Sequence, residues 1–324
     1  MKENLLKLLS ATLLGLAALP VVAAQPWMPN RPVQIILPYT AGGTSDIVSR
    51  GMAERLQERF RESFIVDYRP GGATQIGSNL VAKSKPDGHT ILFAANTFMI
   101  NPSLFKQLPY DTLKDFEPIT YAGLTPHTLV VSPNLPINTL QELVDYSKTH
   151  PGKLAYGSVG NGTSFHLGTE ELKKVSGLDA VHVPYKGMSQ VLSDVMGNNI
   201  DFALANTPSV VPLVQSGKLR AIAIAHPTRI AQLPDVPTVS EQGYPGYASS
   251  SAFLYLVAGG TPVEILDRLN EEFVAVLREP SVQKLFSEQG IEVKGTTRAE
   301  TAEFIRVEME KAAELVKFTG AKVD

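Results

Sequence analysis

"ILPYTAGGTSDIVSR", residues 36–50, carries the pattern that decides the fold. An apolar run ends in Pro38 and Tyr39, two glycines follow, and Thr44, Ser45 and Asp46 open a segment with helical periodicity. Strand, glycine turn and helix in that order form one half of an α/β unit. Glycines allow the sharp turn and let a ligand approach the backbone closely. Thr44, Ser45 or Asp46 is suited to cap the helix, and the free N–H groups with the positive end of the helix dipole favour an anion. A tight strand–helix turn with no ligand explains this stretch equally well.

A second copy lies a little over 100 residues on. "LAYGSVGNGTSFHLGTEELKKVSG" (154–177) again reads strand, glycine turn, Gly-Thr-Ser and helix. Two such turns imply two similar domains, whose helix N-termini would converge on one small anionic ligand. The rest of the chain alternates likewise. Strand-like runs occur at 33–39, 64–68, 90–95, 128–133, 154–159, 180–185, 200–206 and 219–225. Several are continuously apolar, as in parallel strands covered on both faces. Thr139 with Glu142, Thr261-Pro262 with Glu264, and Thr297 with Glu300 mark helix starts. The expected fold is α/β, and such sheets bind ligands at the carboxyl ends of their strands.

Residues 1–24 carry Lys2 and Lys7, an apolar run of about a dozen residues from Leu8 to Leu19, then Val22-Ala23-Ala24. This order describes a cleaved secretory signal peptide with the mature chain starting at Gln25, since a bilayer anchor needs roughly 20 apolar residues. Lys2, Glu3 and Lys7 leave with it, so 27 basic residues face 31 acidic ones, a net charge of −4. With no cysteine there is no disulfide framework or lipid attachment site. The absence of a basic block argues against nucleic acid as a partner. No cofactor is expected, because neither turn fits a nucleotide motif. No histidine pair has metal-ligand spacing.

An enzyme reading exists. "GTSFH" (162–166) is one residue from G-x-S-x-G, which would make Ser164 a nucleophile, His182 or His226 its base and Asp201 the orienter. His166 stands where that motif has its second glycine and crowds the turn.

The chain resembles the Bug (TctC-like) receptors, the periplasmic solute-binding proteins of tripartite tricarboxylate transport systems. The resemblance rests on "RPVQIILPYTAGGTSD", "YRPGGATQIGSNLVAKSKPDGHTILFAAN", "YGSVGNGTSFH", "VPYKG" followed by "IDFALAN", "GKLRAIAIA", "LPDVPTVSEQG" and "GTPVEILDRLN", in the family's order. It implies a two-domain Venus-flytrap fold that binds small carboxylates in the periplasm without catalysis. The implied partners are a small organic acid and membrane permease subunits, with the chain itself a monomer. A receptor that signals to a membrane partner would share this shape. The family's two crossings would place one domain at 25–122 plus 227–324 and the other at 123–226, with "YAG" (121–123) and "AHP" (225–227) as the crossings. Carried over, one cleft wall is Tyr39, Thr40, Ala41, Gly42, Gly43, Thr44 and Asp46, with Asn96 adding an amide. The opposite wall is Ser158, Gly160, Thr163 and His166, with Tyr185, Lys186 and Asn206 at later strand ends. Each of three has a structural alternative: Asp46 as a helix cap, Tyr185 as core, His166 as a loop support. The family's tryptophan before "TP" is replaced near Ala252, and its proline-alanine-glycine by Ala258-Gly259-Gly260.

The ligand class follows from what the loops offer. Trp27 is the only tryptophan, which disfavours a sugar platform, and Lys186 is the main cation near the turns. Backbone N–H groups on "AGGTS" and "GNGTS" suit one or two carboxylates, with Tyr39, Phe98, Phe165 and Tyr185 lining the space between.

Overall fold

The computed structural model describes residues 27–322, so the expected signal peptide lies outside the described residues. In chain order the elements are β1 (Val33–Leu37), α1 (Thr44–Phe60), β2 (Phe64–Tyr68), α2 (Gln75–Ala82), β3 (Thr90–Ala94), α3 (Asn96–Leu104) and β4 (Phe116–Val131). Then come α4 (Leu140–Thr149), β5 (Ala155–Ser158), α5 (Ser164–Ser176), β6 (Val181–Pro184), α6 (Met188–Met196), β7 (Phe202–Asn206), α7 (Thr207–Gln215) and β8 (Arg220–Ala225). β9 (Ser250–Ala258), α8 (Val263–Leu277), α9 (Pro280–Glu288), β10 (Glu292–Val293) and α10 (Arg298–Thr319) complete the chain.

The strands form one ten-stranded sheet in the order β2-β1-β3-β9-β4-β7-β5-β6, with β8 and β10 also on β4. Pairing is parallel at both ends, where β1 joins β2 and β3 and β5 joins β6 and β7. The middle is antiparallel: β9 pairs β3 and β4, and β4 pairs β7, β8 and β10. The sheet is therefore mixed, and an expectation of parallel strands holds only for its two wings.

Continuous apolar runs arise because both faces are covered. Val33, Ile35 and Leu37 of β1 enter a core under α1 and α8, while Ile36 enters the core on the other face. In the other wing Leu129 and Val131 of β4 face one core and Val130 the opposite one. The caps at Thr139 and Thr297 form as expected. At α8, Pro262 is itself the N-cap, and the Thr261 hydroxyl donates to Ala258 O at 2.7 Å instead of capping the helix.

β4 is 16 residues long and belongs to both wings. Its first part pairs β9 as far as Pro126↔Ser250, and from His127 onward it pairs β7 and β8. After β8 the chain stays with the second wing. Val239 and Tyr247 fill that core, and Ser249 N–H donates to Ala225 O at 2.9 Å. Strand pairing thus changes at Pro126–His127 and again at Ser249–Ser250, beside the crossings at 121–123 and 225–227 that the family resemblance implies. The two wings also meet away from the sheet, where Leu167 of α5 packs with Ile100 and Leu104 of α3 and with Ala312, Leu315 and Val316 of α10.

Candidate functional site

Four helices begin around one groove. Its lining includes Thr44 and Ser45 at the start of α1, Ala95, Asn96 and Thr97 at that of α3, Thr163, Ser164 and Phe165 at that of α5, and Asn206 before α7. Tyr39, Val159, Ser251 and Phe253 complete it around about 250 Å³, and no lining side chain is charged. A wider mouth shares Tyr39, Thr97, Val159 and Thr163 and opens past Gly160 and Gly162.

A helix leaves its first N–H groups without intrahelical partners. Those of Thr44, Ser45, Asn96, Thr97, Ser164 and Phe165 make no hydrogen bond among the described residues. Three of the four caps, Gly43, Ala95 and Asn206, contribute no side-chain hydrogen bond to their own helix. With the dipoles of several helices directed at one space, the groove is positive without a cation.

The floor is a buried polar chain. The Ser251 hydroxyl donates to Asn206 Oδ1 at 2.9 Å and lies 3.1 Å from His127 Nε2. His127 Nδ1 lies 2.9 Å from the Ser249 hydroxyl. Burial pushes His127 down to about 3, so the ring is neutral at ordinary pH and stacks under Phe165 at 4.5 Å. Asn96 clamps α3 to β9: Oδ1 accepts the Ala252 N–H at 2.8 Å and Nδ2 donates to Ser250 O at 3.2 Å.

Tyr39, Thr44, Asn96, Thr163 and Asn206 therefore line the groove, and Gly160 sits at the mouth. Thr40, Ala41, Gly42 and Gly43 are exposed and outside the lining. Asp46 is buried behind its turn, where its carboxylate accepts the Gly42 N–H at 2.8 Å and the Tyr68 hydroxyl at 2.7 Å. Those two bonds hold its pKa below the usual carboxylate value. Asp46 is a brace for the turn, not a wall of the groove. Ser158 and His166 are braces too, bonded within the 158–163 turn. The Tyr185 hydroxyl donates to Asp194 at 2.7 Å and the ring packs against the core under α6. Lys186 is exposed and outside the lining. Phe98 is buried against Tyr110 and Phe116.

The hydrolase set does not assemble. Ser164 bonds to no histidine, His182 pairs with Ser158 at 2.7 Å, and Asp201 accepts the Ala155 N–H at 2.7 Å. His226 lies 3.0 Å from Glu292. Among the described residues, no group of three His, Asp or Glu is placed to hold a metal, and no helix is long and apolar enough to cross a membrane.

The family profile described as "Tripartite tricarboxylate transporter family receptor" matches residues 48–321. The chain belongs to this receptor family. It is 33% identical over 297 residues to protein BugT of Bordetella pertussis, covering 91% of each chain. Among solved structures of the receptor family, "R. palustris Rpa4515 with adipate" is 31% identical with a TM-score of 0.80, over 90% of this chain and 98% of that one. "MatC (Rpa3494) from Rhodopseudomonas palustris with bound malate" is 25% identical with a TM-score of 0.76, over 89% and 100%. Members of the family are periplasmic solute-binding proteins, and the α/β fold seen here matches theirs.

Proposed function

We propose that this chain captures a small organic acid in the groove and presents it, in the periplasm, to the membrane subunits of a tripartite tricarboxylate-type transporter, without catalysing a reaction on it. The observation that carries this reading is the convergence of free backbone N–H groups from three helix N-termini on a space with no charged side chain. A carboxylate is among the anionic groups that backbone donors of this kind satisfy. Adipate and malate, held by two relatives, are both short dicarboxylates. The wings of the sheet then act as two domains, 27–126 with 250–322 and 127–249, which close on the ligand by a hinge.

The test is a melting screen with adipate, malate and an aromatic acid beside sugars and polyamines. A ligand at about 100 times its Kd stabilises the native state by about 2.7 kcal/mol. An upward shift with one or more acids is expected. A shift with a sugar or polyamine and none with any acid overturns the reading.

A further inference from the structure

The turn before α5 is held from behind by two imidazoles that never reach the groove. His166 of α5 and His182 of β6 stack with ring centres 4.2 Å apart. His166 Nδ1 accepts the Gly162 N–H at 3.0 Å. His182 Nε2 lies 2.7 Å from the Ser158 hydroxyl, which accepts the Gly160 N–H at 3.1 Å. The pair thus fixes both glycines that shape the turn.

Other ionisable groups surround it. Tyr156 of β5 stacks on His182 at 4.9 Å, and its hydroxyl donates to Glu170 at 2.6 Å. Lys173 of α5 donates to the same Glu170 oxygen at 2.7 Å, so these two charges are paired with each other. An imidazole nitrogen accepts a hydrogen bond only while it carries no proton. Protonation of His166 Nδ1 would set one N–H against another at Gly162, and a charge on either ring opposes a charge on its stacked neighbour. Burial holds both rings below the ordinary histidine value, His182 at about 4.

We propose that His166 and His182 are positioning residues for the groove: neutral, they hold the 158–163 turn so that the Ser164 and Phe165 N–H groups face the ligand, and acid loosens the ligand by protonating them. The proposal rests on the reading of the groove as an acid-binding site. The sign follows from the neutral state being the competent one: affinity is full near pH 7 and falls as the pH drops through the titration of the pair. One pH unit below that titration about one tenth of the molecules stay competent, which lowers apparent affinity about tenfold.

Two measurements on the full chain test this. In the ligand-free protein, NMR from pH 7.5 to 3.5 follows the Gly162 amide and the imidazole nitrogens; they should titrate together. Calorimetry then compares adipate affinity of the wild type with His166→Gln, whose amide keeps an acceptor but does not titrate. Adipate's own protonation is common to both proteins and cancels in their ratio. Wild type should lose affinity relative to His166→Gln as the pH falls through the imidazole titration located by NMR, about tenfold one pH unit below it. Where His166→Gln fails to fold, His166→Asn, whose Oδ1 takes the place of Nδ1 and does not titrate, carries the same comparison. Equal pH slopes, or tighter wild-type binding in acid relative to the variant, overturn the proposal, as does a Gly162 amide that ignores the imidazole titration. If no acid binds at any pH while the amide follows the imidazoles, the groove reading fails and the holding of the turn by the pair stands.

Discussion

The turns at Ala41–Asp46 and Gly160–Phe165 read almost alike in sequence, yet they are built from opposite materials. The first is held by a carboxylate, with Asp46 accepting from the Gly42 N–H, and its glycines border open space. The second is held by neutral imidazoles and is wedged against the other wing. A Cβ on Gly162 would lie 2.9 Å from Leu104 Cγ and closer still to both its methyl groups. Their helix caps differ as well: Gly43 makes no side-chain bond, while Thr163 accepts from the His166 N–H. A glycine shared by two motifs can thus be a gap in one place and a packing surface in the other.

The sharpest way to break this comparison is substitution at the two glycines. Gly162 has φ +72° and Gly43 has φ −91°. Left-handed strain and overpacking cost about 1–3 kcal/mol each, so Gly162→Val should lower unfolding free energy by about 2–6 kcal/mol. Gly43→Ala should stay within about 0.5 kcal/mol. Urea unfolding at unchanged m reads both, and equal losses would dissolve the contrast.

A smaller effect separates the braces by pH. Asp46→Asn should cost about 1–2 kcal/mol near neutral pH, because hydrogen bonds to a charged group are worth about 1.5–3 kcal/mol and the amide keeps part of them. The Asp46 pKa is lowered in the fold, so its contribution is present above the ordinary carboxylate value and is lost as pH falls below about 4. The histidines have lowered values too, so their neutral forms lose stability between about pH 6.5 and 4. Stability curves of wild type and Asp46→Asn should therefore run parallel from pH 6.5 to 4 and converge only below. Convergence above pH 5 would assign the upper window to Asp46.

The smallest effect is expected at Lys186. It is exposed and borders neither the groove nor its mouth. Lys186→Ala should leave adipate affinity within about twofold, as for a surface residue away from the site. Abolished binding would show that a mobile cation, not the helix ends, holds the acid.

The strand–turn–helix pattern made the wings of the sheet legible, because their runs are buried on both faces and the turns carry glycine. The middle was harder to read. β9 pairs antiparallel between elements distant in sequence, and although Gly259-Gly260 lead from it into α8, "SSAFLYLVA" went unmarked as a strand. It supplies Ser251 and Phe253 to the groove. Asn96 was expected to add a side-chain amide and Asn206 to stand at a strand end. That they stand at helix starts was hidden because "AAN" and "ANTP" carry no hydroxyl–glycine signature. Thr97 was missed for the same reason, whereas Val159 lies inside the second glycine turn and was passed over as an apolar residue among polar ones. Asp46, His166 and Ser158 show the converse, since polar residues beside a glycine turn serve its shape as readily as its ligand.

The second wing leaves the first and rejoins it through neighbouring strands, with His127 N–H donating to Ser249 O at 3.0 Å. Its two ends therefore sit about one strand spacing, roughly 4.8 Å, apart. In topological terms residues 127–249 are a cassette inserted into a host whose own strands already close beside the cut. Such a piece can be exchanged between receptors without re-threading either one. One wall of the groove can then be replaced while the other, with α1 and α3, is inherited unchanged.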